Sequence, residues 1–461
     1  VSVAPLPDLV LAQVRAEGLF PEPGVALLAV SGGPDSIALL DLMHRLAPEL
    51  GLTLVVGHVD HGIAPGSAAV AGAVERWAAR YALPIRTATL SLGARASETT
   101  ARAARYRALR NLQRDVHARY LVTAHHADDQ VETVLLRVLK GSGMAGLAGI
   151  APARPGGLTR PLLAFDRSTL LGWFRSRYPD PALYPPIHCD PANRDPRHER
   201  SWVRQSLVPV LAARFGDDVR RRVLDLQRHA VRDRRAWSEV LRALPGLEVR
   251  CDPGRVSLSR RALGGLGPAL ATAVLEAAAR EVGLTLGVRR ARDLYGFAPG
   301  AASGSRLTLG RGWIAETAFD RLIFRHLPAA PPPPPAVWGD APRGAVTWGD
   351  WLIEWAAGAA GPTDRVSFVT WVTPGPGEVR ARRTGECLRP LGFTGHRPLT
   401  RLLMEARIPR SDRPSYPVLS RAGSALWLPG VCRSDRCVPS VGAPALRVEA
   451  RRVSPGVGLP G

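Results

Sequence analysis

Short apolar runs alternate with helix-spaced apolar positions through the first 125 residues. The runs at 25–30, 52–59, 85–90 and 120–123 read as strands, and each is followed by residues with helical periodicity. This rhythm predicts a parallel, Rossmann-like sheet with helices on both faces, in which ligands bind beyond the carboxyl ends of the strands. The residues just after each run are therefore where chemistry is sought. From about Phe215 the pattern changes to arginine-rich helical periodicity at 217–243 and 270–282, then an alternating stretch at 306–324 that predicts a hairpin. Residues 328–335 include five consecutive prolines from Pro331, which sustain neither a helix nor a central strand and predict a stiff linker. Strand and turn signals dominate beyond it. The expected class is α/β: a catalytic domain at 1–215, a small mostly helical domain at 216–327, a proline-rich linker at 328–336 and an α+β domain at 337–453. No internal repeat at a fixed period is present.

Composition narrows this picture. With 461 residues, 46% hydrophobic and 22% charged, the chain can bury several cores and is not intrinsically disordered. No stretch approaches the ~18 apolar residues of a membrane span, and residues 1–8 lack a basic segment followed by an apolar one. Five scattered cysteines do not suggest a disulfide framework, so a cytoplasmic location is expected. Charge points to a partner. The 61 Lys and Arg against 40 Asp and Glu leave +21, with a sequence pI near 11.2. A polyanion is the expected ligand, and without a basic helix bearing a strong apolar face, a nucleic acid is favoured over a membrane. Lys140 is the only lysine, so the basic residues are almost all arginine and no single arginine carries much weight on its own.

The first predicted strand runs into Ser31-Gly32-Gly33-Pro34-Asp35-Ser36 and then a helix. Glycines let the backbone close around an anion, and a helix N-terminus offers free amides and the positive end of its dipole, so phosphate is the natural ligand. Asp35 would repel phosphate unless it also held Mg²⁺ or met a cationic substrate. The GxxxxGK[ST] pattern is absent, which excludes a Walker-type loop. At the second strand end stands His58-Val59-Asp60-His61-Gly62, with no further cysteine or histidine at the spacing of a four-ligand zinc site. After the fourth comes Ala124-His125-His126-Ala127-Asp128-Asp129-Gln130-Val131-Glu132. Helical spacing predicts one polar face shared by His125, Asp129 and Glu132, with Val131, Val134, Leu135 and Val138 opposite. Such an acidic face beside a phosphate loop makes sense with a metal or a cationic substrate between them. Arg102 and Arg105 lie one helical turn apart in Ala101-Arg102-Ala103-Ala104-Arg105, where an arginine could stabilise charge on an α phosphate.

SGGPDS between strand and helix resembles the pyrophosphate (PP) loop of the N-type ATP pyrophosphatases, which cleave ATP between its α and β phosphates and adenylate a carbonyl oxygen. Together with HVDHG, ARAARYRAL and TAHHADDQVETVLLRVLKGSGMAGLAGI, it is similar to the successive motifs of the tRNA(Ile)-lysidine synthases. Residues 160–163, 190–204, 207–211, 380–386, 388–391, 395–398 and 406–409 match further segments of that family, whereas the middle of the chain matches only in position and helical character. Four positions depart: Ala64 stands where arginine is common, Ser201 where asparagine is, and Arg401 and Arg407 where lysines are.

The resemblance implies a two-step ligase. The C2 carbonyl oxygen of the wobble cytidine in a tRNA(Ile) with a CAU anticodon attacks the α phosphate of ATP, and free L-lysine then displaces AMP. It assigns ATP binding to Ser31, Gly32, Gly33, Pro34, Asp35, Ser36, His58 and Asp60, with Asp35 also holding Mg²⁺. Catalysis falls to Asp35, Arg105, His125, Asp129 and Glu132, and tRNA binding to Arg200, Arg204, Arg382, Arg383, Arg389 and Arg397. Two alternatives stand beside it. A tRNA thiolase of the same superfamily would need a reactive cysteine or an iron-sulfur cluster, and no Cys-x-x-Cys occurs. A noncatalytic RNA-binding protein would not need an intact SGGxDS. The oligomeric state, a homodimer included, stays open.

Overall fold

The computed structural model describes residues 4–60, 67–90, 98–188, 195, 197–252, 254–310, 312–327 and 331–453. His61, Ala64 and residues 189–194 lie outside these residues. Contacts divide the chain into two compact units, Val1–Arg234 and Arg235–Gly461.

The first unit runs α1 (Leu6–Ala16), β1 (Gly24–Ala29), α2 (Pro34–Leu50), β2 (Leu52–Asp60), α3 (Ser67–Arg80), β3 (Ile85–Thr89), α4 (Glu98–Asp115), β4 (Tyr120–Val122), α5 (Ala127–Leu139), α6 (Met144–Leu147), β5 (Ala153–Arg154), β6 (Leu158–Thr159), α7 (Arg167–Arg177), α8 (Glu199–Trp202), α9 (Val208–Phe215) and α10 (Val219–Ala243), the unit boundary falling within α10. The sheet order is β3-β2-β1-β4-β6-β5, parallel throughout except for β5 at the edge. Strand β1 is apolar on both sides because it is buried on both. Ala26 and Leu28 join the core under α1, α2 and α7, while Leu27 joins Leu109 and Leu112 of α4 on the other face.

Helix α2 is hydrophobic nearly all round. Ile37, Leu39, Leu40, Leu42 and Met43 are fully buried, each contributing about 1.5–3 kcal/mol of transfer free energy. It ends at Gly51, whose left-handed φ of 64° closes the helix. One carboxylate sits inside this core. Asp41 accepts hydrogen bonds from Tyr81 and Tyr178 (both 3.0 Å), Trp173 Nε1 (3.0 Å) and Arg45 Nε (3.2 Å), tying the helix behind the glycine loop to α7. Four donors answer its desolvation, as a buried charge requires.

In the second unit, strands Arg250–Asp252, Arg255–Ser259, Arg321–His326, Trp313–Ala318 and Arg306–Gly310 form an antiparallel sheet in that order, packed against helices Pro268–Glu281 and Val288–Gly300. The hairpin expected at 306–324 is thus part of a three-stranded meander, extended by strands that the sequence pattern did not reveal. Val256 and Leu258 are fully buried, but the serines between and after them dilute the apolar signal of so short a run. Pro331–Pro335 lie outside helix and strand, and Pro334 O accepts from Trp348 Nε1 at 3.0 Å. Beyond them two sheets of five and four strands enclose a core rich in tryptophan: Trp338, Trp348, Trp351, Trp355 and Trp427. The prolines are not the sole link between the parts they separate. Asp412 accepts from Arg255 (2.6 Å) and Arg325 (3.1 Å), and Glu316 accepts from the Ser411 amide (3.2 Å). Among the described residues no helix is long and apolar enough to cross a membrane.

Candidate active site

The chain leaves β1 for β2 and β3 on one side and returns to β4 on the other, so the strand order reverses between β1 and β4. Their carboxyl ends open into the crevice where such sheets bind ligands. The two strongest motifs of the sequence begin there.

The loop after β1 is held by its own serines. Ser36 Oγ donates to the Gly33 carbonyl (2.8 Å) and lies within hydrogen-bond reach of the Ser31 amide (3.2 Å) and hydroxyl (3.3 Å). Gly32 has φ +83°, and a Cβ there would stand 3.0 Å from Val70 Cγ1 and 3.3 Å from Val74 Cγ2. Only glycine meets both demands. Pro34 opens α2 at a position where a missing N–H costs nothing, and the positive end of α2 faces the loop. His58 is buried, and its Nδ1 donates to the Val30 carbonyl (2.8 Å), bracing the strand end behind the loop. Asp60 closes β2.

Asp35, at the start of α2, accepts from Arg167 Nε at 2.9 Å and lies 3.9 Å from His126 Nε2. His126 is the hub of the site. It is 3% exposed, stands 3.6 Å from both Asp128 and Asp129 carboxylates as well as near Asp35, and its Nδ1 has no hydrogen-bond partner. The expectation that His125 shares a helical face with Asp129 and Glu132 is corrected. Helix α5 starts only at Ala127, because His126 takes extended φ/ψ and forms a capping box with Asp129, whose carboxylate accepts the His126 amide at 3.0 Å. His125 therefore stands in the loop before the helix, where its Nδ1 bonds Thr123 Oγ1 (2.9 Å) and its Nε2 faces Arg102 (3.5 Å). On the opposite side of α5, Val131 and Val134 are buried as expected, whereas Val138, near the helix end, is largely exposed.

Electrostatics separate the roles of these groups. Burial, opposed by Asp129 but aided by Arg160, Arg102 and Arg105, pulls His125 down to about 3, so its imidazole is neutral at physiological pH. Burial alone would raise Asp129, but His126, the His126 amide and Arg200 hold it below the usual carboxylate range. Burial raises Glu132 against the pull of Arg204. Burial and the neighbouring Arg102 lower Arg105, with Arg200 adding to that and Asp129 opposing it. The same charges thus bring Arg105, His125 and Asp129 into one field.

Arg200 and Arg204 point inward. Arg204 Nε bonds Glu132 at 2.6 Å, with Asp129 3.8 Å away, and Arg200 donates to Thr133 Oγ1 at 3.2 Å. Of the two arginines expected at the tRNA, Arg204 is thus already answered by carboxylates of α5. A π-helical turn, Val203–Leu207, joins α8 to α9 and carries Arg204. In the second unit, Arg389 pairs with Asp435 and Arg397 with Glu405 (2.6 Å), whereas Arg383 is exposed and Arg382 Nε is buried without a partner.

Four site residues escaped the sequence reading. His126 and Asp128 lie inside a motif that was recognised, but their neighbours were chosen instead. Arg167 and Arg220, which reach Asp35 and Asp128 (3.7 Å for Arg220), carry no motif signal in an arginine-rich chain. A cavity of about 160 Å³ opens among Asp128, Glu132, Arg167, Arg204 and Arg220, and Glu132 Oε2 is buried without a hydrogen-bond partner. Among the described residues no three potential ligands group tightly enough to hold a metal unaided. Mg²⁺ commonly takes one or two carboxylates and completes its shell with substrate phosphates, a role that Asp35 beside the glycine loop fits.

Comparison with known proteins agrees with this geometry. The model of the PP-loop domain matches residues 11–211, and that of the TilS substrate C-terminal domain matches residues 378–450. A tRNA(Ile)-lysidine synthase of Symbiobacterium thermophilum is 35% identical, the match covering 98% of this chain and 99% of that one. Proteins of the same name from Alkalilimnicola ehrlichii (34%, covering 91% and 92%) and Geobacter sulfurreducens (29%, covering 97% and 98%) match over nearly as much. A PP loop at the switch point, an acidic helix start beside it and similarity along the whole chain lead to one conclusion: the protein belongs to the tRNA(Ile)-lysidine synthase family.

Proposed function

We propose that this enzyme joins free L-lysine to C2 of the wobble cytidine of tRNA(Ile) with a CAU anticodon, converting ATP to AMP and pyrophosphate in the cytoplasm. The observation that carries the reading is the acidic start of α5 set against the SGGPDS loop, one half suited to a cation and the other to phosphates.

In the first step the cytidine C2 oxygen attacks the α phosphorus and pyrophosphate leaves. Ser31, Gly32, Gly33, Pro34 and Ser36 cradle the leaving pyrophosphate, and Arg105 offsets charge on the α phosphate. Mg²⁺, held by Asp35 and the phosphate oxygens, would supply further charge neutralisation. Arg167 now engages Asp35 and would then turn to phosphate. In the second step the lysine ε-nitrogen attacks C2, and AMP departs with the former C2 oxygen. An ammonium cannot attack, so a proton must go as the C–N bond forms. Glu132 suits this better than Asp129, because burial makes it the more basic carboxylate. Neutral His125 can accept a hydrogen bond from the amine, and Asp129 can hold a lysine ammonium group. Reaching the base edge requires an unstacked nucleotide, which a single-stranded anticodon loop provides.

The test is product analysis with labelled ATP. AMP and pyrophosphate should form only when the tRNA is present, and ADP with phosphate as main products would overturn the assignment of the loop.

A further inference from the structure

Outside the catalytic crevice, arginines also gather in the second unit. The guanidinium groups of Arg306, Arg325, Arg382, Arg410 and Arg413 line a single cavity of about 400 Å³. They come from both sides of the proline segment: Arg306 and Arg325 from the meander, the other three from the later β-rich part. Two carboxylates answer some of this charge. Asp412 is shared by Arg325 and Arg255, and fully buried Glu316 stands 3.6 Å from Arg306 Nε. Among the described residues, Arg382 and Arg410 have no carboxylate within ion-pair distance, and Arg382 Nε is buried with no hydrogen-bond partner. Burial lowers the pKa of Arg413, and the nearby Arg382 and Arg410 lower it further. Like charges gathered this closely repel unless an anion joins them.

The lining also says which anion. A volume within the ~300–1,000 Å³ of small-ligand sites admits a phosphate with its attached sugar. Guanidinium forks match phosphate oxygens two at a time. The lining contains no acidic residue to meet the Mg²⁺ of a free nucleoside triphosphate, and no glycine loop. A phosphodiester brings one charge and no metal.

We propose that this cavity clamps a backbone phosphate of the bound tRNA, with Arg306, Arg382, Arg410 and Arg413 as its contacts. The inference rests on the tRNA-modifying function given above. It makes the meander and the later β-rich part a single RNA-binding body, because neither contributes the clamp alone. It also shifts weight from Arg389 and Arg397, which are paired to carboxylates, to Arg382 together with Arg306, Arg410 and Arg413, the last three of which the sequence motifs did not single out.

The experiment uses the full chain with Arg382→Ala, Arg410→Ala and the double variant, measuring tRNA affinity over a salt series, ATP affinity and the thermal midpoint. Each single change should weaken tRNA binding roughly 3- to 10-fold and reduce the slope of log K against log salt by about 1. ATP affinity should stay within about twofold of the parent, since no candidate nucleotide contact is touched. The midpoint should hold or rise, because the change relieves repulsion. If it falls, Arg410→Gln, which keeps a polar side chain and loses the charge, must still flatten the salt slope. Parental tRNA affinity and slope in the double variant, or in a folded Arg410→Gln, would overturn the proposal. So would loss of an AMP-binding site with tRNA binding intact, which would assign the cavity to a free nucleotide. Lysidine formation by the parent is scored separately. If the parent makes lysidine and the double variant binds tRNA normally, only the clamp is wrong; if the parent makes none, the functional reading itself falls.

Discussion

His126 touches three carboxylates, while His125, one residue earlier, is surrounded by arginines. Sequence spacing placed His125 on the helix because it took the whole motif as helical; the capping box shows where the helix begins. Arg167 was illegible for another reason. Its bond to Asp35 spans 132 residues, and nothing local distinguishes it from the many other arginines. Changing Asp35, Arg105 or Asp129 to alanine should lower turnover by roughly 10²-fold without unfolding the protein, the scale of a lost transition-state contact. Near-normal turnover in Asp35→Ala would count most against the account. His125 also predicts a pH effect. Its pKa is about 3 folded against 6.5 for the free side chain, so between these values the unfolded chain binds a proton that the folded one does not. Stability should therefore be intact above about pH 6.5 and fall on acidification by up to ~1.4 kcal/mol per pH unit. Denaturant unfolding from pH 7 to 4 should show that slope reduced in His125→Asn, and an unchanged slope would contradict the buried, neutral imidazole.

Elements were more legible than side-chain partners. The four expected strands of the first unit match β1 to β4 to within a residue or two; for β1, β2 and β4 this is because a parallel strand buried on both faces is an apolar run, whereas β3 is a more exposed edge strand. Strands of two residues, such as β5 and β6, leave no such run. Arg255–Ser259 was missed because its buried serines look polar in sequence. The glycine loop was readable as a motif, but the reason Gly32 is needed there is geometric, combining φ +83° with Val70 at 3.0 Å. Gly32→Ala should cost about 1–3 kcal/mol of stability and weaken ATP binding, since the loop must shift to release the strain. Equilibrium unfolding and nucleotide titration check this together, and an alanine variant with parental stability and ATP affinity would show that the loop tolerates another shape.

At the scale of the whole molecule, the charge of +21 foretold a polyanion but not where it is met. In the structure several arginines pair with carboxylates, among them Glu132, Asp412, Glu405 and Asp435, and five arginines line one cavity of the second unit. The prolines suggested separate bodies on either side of a spacer, whereas Asp412 and Glu316 tie the meander to the 409–413 segment across it. Such long-range pairs leave no trace in local sequence pattern. In the division of labour proposed above, the first unit activates a cytidine base and delivers lysine to it while the second holds the RNA. Its most direct test is incubation of the protein with ATP, Mg²⁺, isotopically labelled lysine and tRNA(Ile) bearing a CAU anticodon, followed by nucleoside mass analysis. The account predicts a modified cytidine carrying one lysine at the wobble position, formed with one AMP each; labelled lysine absent from the nucleosides while ATP is consumed would contradict it.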